Sequence, residues 1–480
     1  MVHATTFDRK AGRRLPTARI LSAALAGVLG ALQVQAATTD ALSAARIAGA
    51  GTVSQKGNSL FVTNCLDDGP GSLREAMEVL AHDLDVAVID ASSLTCSTIT
   101  LNAGALHVPH GHVSVIGPGV DALSISAGSV HQRIFEQADD ASYLELSGLS
   151  MTGGYSTTSG GCIDAKGILK LVDVEVRGCT VAGLHLPTSG GGIHVEGAFQ
   201  ATRVRVRDNV VRSEVSAQGG GIFAEGQVSI SDSTISGNRA VRDGTSKYGF
   251  ATAGGMASTD FALIVSSTFT ANEAESGGAI AVKNALVSNS TISGNQAITT
   301  AGIVADESLT IENSTVAFNC GRGASASLTP VGVGVQSIAD LSLRSSIVAG
   351  NNDCSAAGAG ASLVFDVVVV AGVVSGEGNL VFNPQPTLQL PPDTLTAIDP
   401  GLAPLADNGG AVATHALLQG SPAIDAGYNP RNLQFDARGE GFPRELGAAA
   451  DIGAFEFDDA IFANDFEPPP RLTDERGRER

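Results

Sequence analysis

Ser276 to Asn295 reads SGGAIAVKNALVSNSTISGN. A Gly-Gly turn opens the stretch, short apolar–polar alternations follow, and an Asn after Ser-Gly closes it. Counting back from Asn295, the residues ten, eight, five and three places earlier are Ala285, Val287, Ser290 and Ile292, all apolar or small. The same template fits seven other places, closing at Gly154, Cys179, Asn209, Asn238, Asn272, Asn319 and Asn351. The closing positions lie 23 to 34 residues apart. A repeat of that size marks a solenoid, whose units cannot bury an apolar face alone.

Spacing of two within each pair is strand periodicity with one face buried. The three-residue step between the pairs breaks the alternation, as a corner must. A third short strand follows each glycine pair, as in Gly191-Gly192-Ile193-His194-Val195 and Gly220-Gly221-Ile222-Phe223-Ala224. The residues therefore predict an all-β chain, a right-handed parallel β-helix with three short strands per turn. A leucine-rich repeat would need a Leu-rich consensus and a helix per unit, and these units have neither. Longer units place their excess between the Asn and the next Gly-Gly, so insertions emerge on one edge. The Asn tolerates a left-handed corner, and its amide can ladder from coil to coil.

One long solenoid suits 480 residues with 58 Gly, no Trp and 4% aromatics. The net charge is −20; removing residues 1–36 takes away five basic and one acidic residue and leaves −24. That balance opposes nucleic acid or anionic lipid as the main partner. Residues 1–36 look like a signal peptide, with a basic start at Arg9, Lys10, Arg13, Arg14 and Arg19. The apolar run Ile20 to Leu32 is too short to span a bilayer, and Val34-Gln35-Ala36 precedes a cleavage point between Ala36 and Ala37. No later segment makes a good membrane span; the apolar run Leu363 to Val374, broken by Asp366, reads as buried strand. Six cysteines in an exported chain suggest the local disulfides Cys65–Cys96, Cys162–Cys179 and Cys320–Cys354. The chain then divides into signal peptide (1–36), leader (37–59), N-terminal cap and first coils (60–135), β-helix repeats (136–398), C-terminal cap module (399–456) and disordered tail (457–480).

Near the N-terminus, Ser72 followed by Glu75 is a capping box, and Leu73, Ala76, Met77 and Leu80 share one helical face. A short helix here would cover the open apolar end of the first coil, with Arg74 and Glu75 on its surface. The stretch Ser72-Leu-Arg-Glu-Ala76 resembles the CSLREA motif of bacterial surface β-helix proteins, departing from it at Gly71. Gly277-Gly-Ala-Ile280 and Phe269-Thr-Ala-Asn272 resemble repeats of polymorphic outer-membrane proteins.

Residues 399–456 hold Asp399-Pro-Gly-Leu402, Asp407-Asn-Gly-Gly410, Ser421-Pro-Ala-Ile-Asp-Ala-Gly427, Asp436-Ala-Arg-Gly439 and Asp451-Ile-Gly-Ala-Phe-Glu456. These blocks resemble the C-terminal module of choice-of-anchor Q proteins. The resemblance implies an exported or outer-surface protein and carries no chemistry with it. Physically the module reads as a cap whose Arg–carboxylate network ties loops over the last coil. Asp425, Asp436 and Asp451 are also hard oxygen donors that could hold Ca²⁺; no other cofactor is implied.

Candidate chemistry lies on the outward positions of the repeats. The template stacks Asp173 on Arg203 and Glu175 on Arg205, two opposite-charge pairs. It also stacks Arg177 on Arg207, a like-charge pair that costs stability unless an anion sits there. Arg177, Arg205 and Arg207 are therefore the candidate ligand patch, against the plainer reading of a solvated charge ladder. The histidines at 107, 110 and 112 read as a solvated turn, and His194 as a neighbour of the glycine pair. No nucleophile triad, phosphate loop or redox motif is present. The sequence points to an exported, monomeric surface protein that binds a polysaccharide or cell-surface glycan without turnover. Two rival readings are a polysaccharide lyase of the pectate type, with one of these arginines as base or charge neutraliser, and a structural spacer of the envelope.

Overall fold

The computed structural model describes residues 54–56, 59–81, 87–129, 131–183, 185–244, 249–322, 331–353 and 364–458. The signal segment with its Ala36–Ala37 junction lies outside them, as do residues 459–480 of the tail. Among the described residues there is one helix, Leu73–Leu80, and a 31-stranded sheet. Its strands pair in parallel except for the opening hairpin of Ser54–Lys56 with Ser59–Phe61. Each turn contributes a first face (Ile193–Val195), a second (Phe199–Thr202) and a third (Arg205–Arg207). The next turn repeats them in register, Ile193 on Ile222, Phe199 on Val228 and Val206 on Ile235. The chain is the right-handed parallel β-helix that its periodicity predicts. Template positions Phe199, Ala201, Val204 and Val206 all point inward and are buried.

The corners depart from expectation. The closing Asn residues are not left-handed; the residue before them is, as at Asp208 (φ 56°), Gly237 (φ 65°) and Gly294 (φ 68°). A second left-handed row lies six places before the closing residue of each unit, at Asp173, Arg203, Asp232, Ser266, Asn289, Asn313 and Ser345. The expected amide ladder does form. Asn209, Asn238, Asn272, Asn295, Asn319 and Asn351 are buried, and each Nδ2 donates to the Oδ1 of the next at 2.8–3.0 Å as far as Asn351. A parallel hydroxyl ladder runs through Ser233, Ser267, Ser290, Ser314 and Ser346, each accepting from the backbone N–H one coil back. These serines read as merely small in the sequence; they in fact satisfy buried N–H groups at a corner.

Asp366 ends the amide ladder. Its Oδ1 accepts from the Asn351 N–H and Nδ2 at 2.9 and 2.8 Å, and its Oδ2 from the Asn383 N–H at 2.8 Å. Burial nevertheless pushes its carboxyl up to about 6. A folded value above the unfolded one favours the protonated form, so its contribution is present below about pH 4 and lost as pH rises through about 6. Stability measured by guanidinium should therefore fall between pH 4 and 7 in the wild type relative to Asp366→Asn. The variant's amide faces the Asn383 N–H, which adds only a pH-independent offset. Parallel pH profiles for the two proteins would sink this assignment.

The ends are closed differently. Leu73, Ala76, Met77 and Leu80 of the helix enter the main core. The Ser72 hydroxyl accepts the Glu75 N–H at 3.1 Å, and Glu75 Oε2 takes the Gly71 N–H at 2.6 Å. Arg74, expected on the surface, is buried and bonds Asp67 and the Gly104 and Ala105 carbonyls. At the far end Leu388 and Leu390 pack against the main core. Residues 399–457 lie instead along the third face, where Ile347, Ala349 and Leu380 form a second core with Leu417, Ala423, Ile452, Phe455 and Phe457. Phe457, placed in the tail by the sequence, is buried.

The insertions do emerge on one edge. Tyr155–Ser156, Thr180–Gly183, Val210–Ser213 and Arg239–Arg242 form a four-stranded sheet. With Thr188–Ser189, Ala217–Gln218 and Ala251–Thr252 they enclose a satellite core containing Val181, Val211, Ala240 and Ala251. Disulfides join Cys65 to Cys96 and Cys162 to Cys179, with Cα separations of 6.4 and 5.6 Å. Cys320 is also disulfide-bonded, and Cys354, its expected partner, lies outside the described residues.

Candidate functional site

The third face carries the predicted arginines in the predicted register, Glu175 beside Arg205 and Arg177 beside Arg207. Their pairing is only partly as expected. Arg203 grips Asp173 through two bonds of 2.6 and 2.7 Å. Arg205 reaches Asp121 at 2.7 Å and stands 3.7 Å from Glu175. Buried Glu175 bonds Arg207 diagonally, and Arg207 also holds Asp208 at 2.9 Å. Carboxylates thus relieve the like-charge contact at Arg207. Arg177 is different: its side chain has no hydrogen bond or ion pair among the described residues, and its Nε is buried without a partner. Asp121 lies 84 residues before Arg205, beyond the reach of a one-coil template.

Gly178, the residue after Arg177, lines a pocket of about 190 Å³ with Gly153, Gly154, Tyr155, Thr180 and His131, and the Arg177 side chain is not part of its wall. The His131 and Tyr155 rings meet edge-on with centroids 4.8 Å apart. A Cβ at Gly154 would come within 2.7 Å of the Cys162 sulfur, so glycine lets the wall close over the disulfide. The Gly153 N–H donates to the Arg177 carbonyl at 3.4 Å, which ties the pocket wall to the arginine strand. A guanidinium fork can take a carboxylate bidentately.

The first face holds a row that the Asn-anchored template misses. His194 is buried, and its Nδ1 lies 2.8 Å from Asp164 Oδ1. Arg133 bridges Asp164 at 3.3 Å and Glu136 at 2.9 Å. Burial pushes the Asp164 carboxyl up, but His194 and Arg133 outweigh it and hold it below its ordinary value. Glu136, Asp164, His194 and Phe223 occupy one outward position on four successive rungs. Aligning the units on their glycine pairs rather than on the Asn would have shown this row. His107 opens the same row one rung before Glu136, which it faces at 3.2 Å, whereas His110 faces Asp139 at 2.8 Å and His112 packs on Tyr143.

No protein-family model matches the chain, and no curated protein matches it. Among solved structures, the crystal structure of pectate lyase Pel9A is similar, at 13% identity and a TM-score of 0.40. The alignment covers 85% of this chain and 98% of that one.

Residues 399–457 lie over the later strands of the third face, from Thr268 onward. Thr268 Oγ1 donates to the Ala413 carbonyl at 2.7 Å, Ser293 Oγ pairs with His415 Nε2 at 2.7 Å, and Thr315 Oγ1 accepts from Ala454 at 3.1 Å. The left-handed corner row supplies the docking donors: Asn289 to the Phe435 carbonyl, Asn313 to Tyr428 and Ser345 to Asp451. Glu312, fully buried, pairs with Arg344 of the solenoid and Arg431 of the module. The Ca²⁺ candidates have their oxygens engaged by protein donors, although Asp425 and Asp451 are neighbours. Asp425 accepts from Ala448 and Ala449, Asp451 from Asp425 and Phe457, and Asp436 from Arg438 and Glu456. Among the described residues no group of three or more His, Cys, Asp or Glu could hold a metal ion. The expected Arg–carboxylate network exists as Asp436 with Arg438, whose guanidinium lies between the Phe442 and Phe455 rings.

Proposed function

We propose that this is an exported, monomeric β-helix protein that binds an acidic polysaccharide or cell-surface glycan on the uncovered part of its third face, with Arg177 as the anchoring residue and no cofactor. One observation carries the reading. Arg203, Arg205 and Arg207 each have a carboxylate partner, while Arg177 has none among the described residues. Disulfides support export. The blocks resembling a choice-of-anchor Q module and the SLREA stretch support an outer-surface location.

The test is retention of the mature protein on immobilised uronate polymers, with ultraviolet detection of unsaturated product. Wild type should be retained without turnover, and retention should weaken with salt. Arg177→Ala should weaken binding about tenfold or more, because a charge-assisted hydrogen bond contributes about 1.5–3 kcal/mol. Arg177→Lys should fall between, keeping the charge but losing the fork. Product formation lost in Arg177→Ala would replace binding by lyase chemistry, and equal retention of Arg177→Ala and wild type would leave the spacer.

A further inference from the structure

The C-terminal module rests on the third face in two different ways. Ile452, Phe455 and Phe457 sit on apolar Ile347, Ala349 and Leu380. Residues 402–417 instead form a hairpin, with Leu402 opposite Leu417 and Ala406 opposite Thr414. Its base, Leu402 and Leu417, packs in that same apolar core. Its arm from Ala413 to His415 lies over outward hydroxyls, those of Thr268 and Ser293. Thr291, one rung from Thr268 and two residues from Ser293, is fully buried, and its hydroxyl has no partner among the described residues. Burying hydroxyls gains less than burying Ile347 or Leu380, so this is the weaker part of the contact. The tip meets the rest of the module through the Ala411 N–H and the Arg438 carbonyl, 3.3 Å apart.

His415 sits in this contact and is 3% exposed. Its Nδ1 lies 2.7 Å from the Ala403 carbonyl, which only accepts, so Nδ1 carries the proton. Nε2 is then the acceptor and takes the Ser293 hydroxyl at 2.7 Å. The Phe318 ring of the solenoid meets the imidazole edge-on, with centroids 5.1 Å apart. No charged group among the described residues shifts the ring. The acids of this segment, Asp399 and Asp407, are exposed and accept from the Gly401 and Gly409 N–H groups.

We propose that residues 403–416 are an acid-released flap, which neutral His415 pins to the third face and protonated His415 lets go. A second proton on the ring meets no countercharge in a place water does not reach, and it ends the acceptor role of Nε2 toward Ser293. Burial already pushes the ring below its ordinary value of 6.5. A base with a lowered folded value contributes stability above about pH 6.5, which is lost as the pH falls toward the folded value. The far end of the module responds in the opposite sense. Burial pushes Asp451 up and Glu456 up to about 7, so acid favours the segment that carries them. Acid therefore lifts the flap about its apolar base and leaves the rest of the module seated. Opening bares Thr268, Thr291 and Ser293, which continue the uncovered rung of Thr234 and Ser236. The device does not depend on what that face binds.

Thiol labelling of the full mature chain tests this. Thr291→Cys places a thiol under the flap, and Ala349→Cys places one under the apolar part of the module. Labelling with dithiodipyridine is followed at pH 7.5 and 5.0, each rate divided by that of the unfolded protein. Thr291→Cys should react at least about threefold faster at pH 5.0, and Ala349→Cys should stay protected at both values. His415→Gln keeps a donor and an acceptor but no titrating ring, so in the Thr291→Cys background it should remove the acid response. If that variant reacts fast at both pH values, Ser293→Asp decides, because its carboxylate pairs with the protonated ring and should keep the flap shut at pH 5.0. Equal rates for Thr291→Cys at the two pH values overturn the proposal. So does an undiminished acid response in His415→Gln or Ser293→Asp, or labelling of Ala349→Cys in step with Thr291→Cys.

Discussion

Asn272→Ala should lower the unfolding free energy by about 3–6 kcal/mol. Asn272 is fully buried in the middle of the amide ladder. Its Nδ2 donates to the Ile235 carbonyl and to Asn295 Oδ1, both at 2.9 Å. Its Oδ1 accepts the Asn238 N–H at 3.1 Å and Asn238 Nδ2 at 3.0 Å. Alanine leaves the Asn238 N–H, one Asn238 amide proton and the Ile235 carbonyl without these partners in a place water does not reach. A buried polar group left unmet costs about 1–3 kcal/mol. Because each coil contacts mainly its neighbours, the damage should be local, and hydrogen exchange should accelerate most between residues 235 and 295. Asn272→Asp separates the two halves of the effect, since it keeps an acceptor and loses the donor. Guanidinium unfolding within about 1 kcal/mol of wild type for Asn272→Ala would mean that the ladder adds little beyond the backbone.

That ladder was legible because the residues that make it recur at one position in each unit. The fold was legible for the same reason. A period of two, a three-residue corner and a Gly-Gly turn are local signals repeated many times, and the core followed from them. What the sequence hid is non-local. Tyr428 accepts from Asn313 across 115 residues, and nothing in the spacing says which face residues 399–457 lie on. One trace was present: outward positions on the third face turn apolar at Ile347 and Ala349, which a solvent-facing strand would not need. The arginine register was likewise readable, because it depends only on the template, whereas Asp121 as partner of Arg205 was not. The first-face row of Asp164, His194 and Phe223 escaped because units anchored on the Asn vary in length before the next glycine pair. The left-handed corner row escaped for a chemical reason. Asn, Asp and Ser at such positions look like ordinary turn residues, yet three of them also hold the module through their side chains.

Arg74→Ala should cost about 1.5–3 kcal/mol, because it removes the charge-assisted hydrogen bonds of a buried guanidinium to a half-buried carboxylate and two carbonyls. Arg74 reads in the sequence as the second turn-mate of a surface cap. In the fold its Nη1 donates to the Ala105 carbonyl at 2.9 Å, and its Nη2 donates to Asp67 Oδ1 and the Gly104 carbonyl, each at 2.7 Å. Asp67 Oδ2 accepts the Asn102 and Ala103 N–H groups at 2.6 and 2.7 Å. One guanidinium and one carboxylate therefore clamp the helix onto residues 102–105 of the coil beneath. Burial pushes the Asp67 carboxyl up, but Arg74 and the two N–H groups outweigh it and hold it below its ordinary value. A depressed folded value contributes stability above about pH 4, which is lost as the pH falls through that value. Acid should thus loosen the N-terminal cap of the wild type, and Arg74→Ala should already be loose at neutral pH and respond less to acid. Arg74→Lys should recover only part of the loss, since an ammonium cannot span a carboxylate and two carbonyls in one plane. Limited proteolysis between residues 60 and 105 and exchange of the amides of helix 73–80 report the cap directly. Cap amides protected equally in wild type and Arg74→Ala at neutral pH would show that Leu73, Met77 and Leu80 hold the helix down without the clamp.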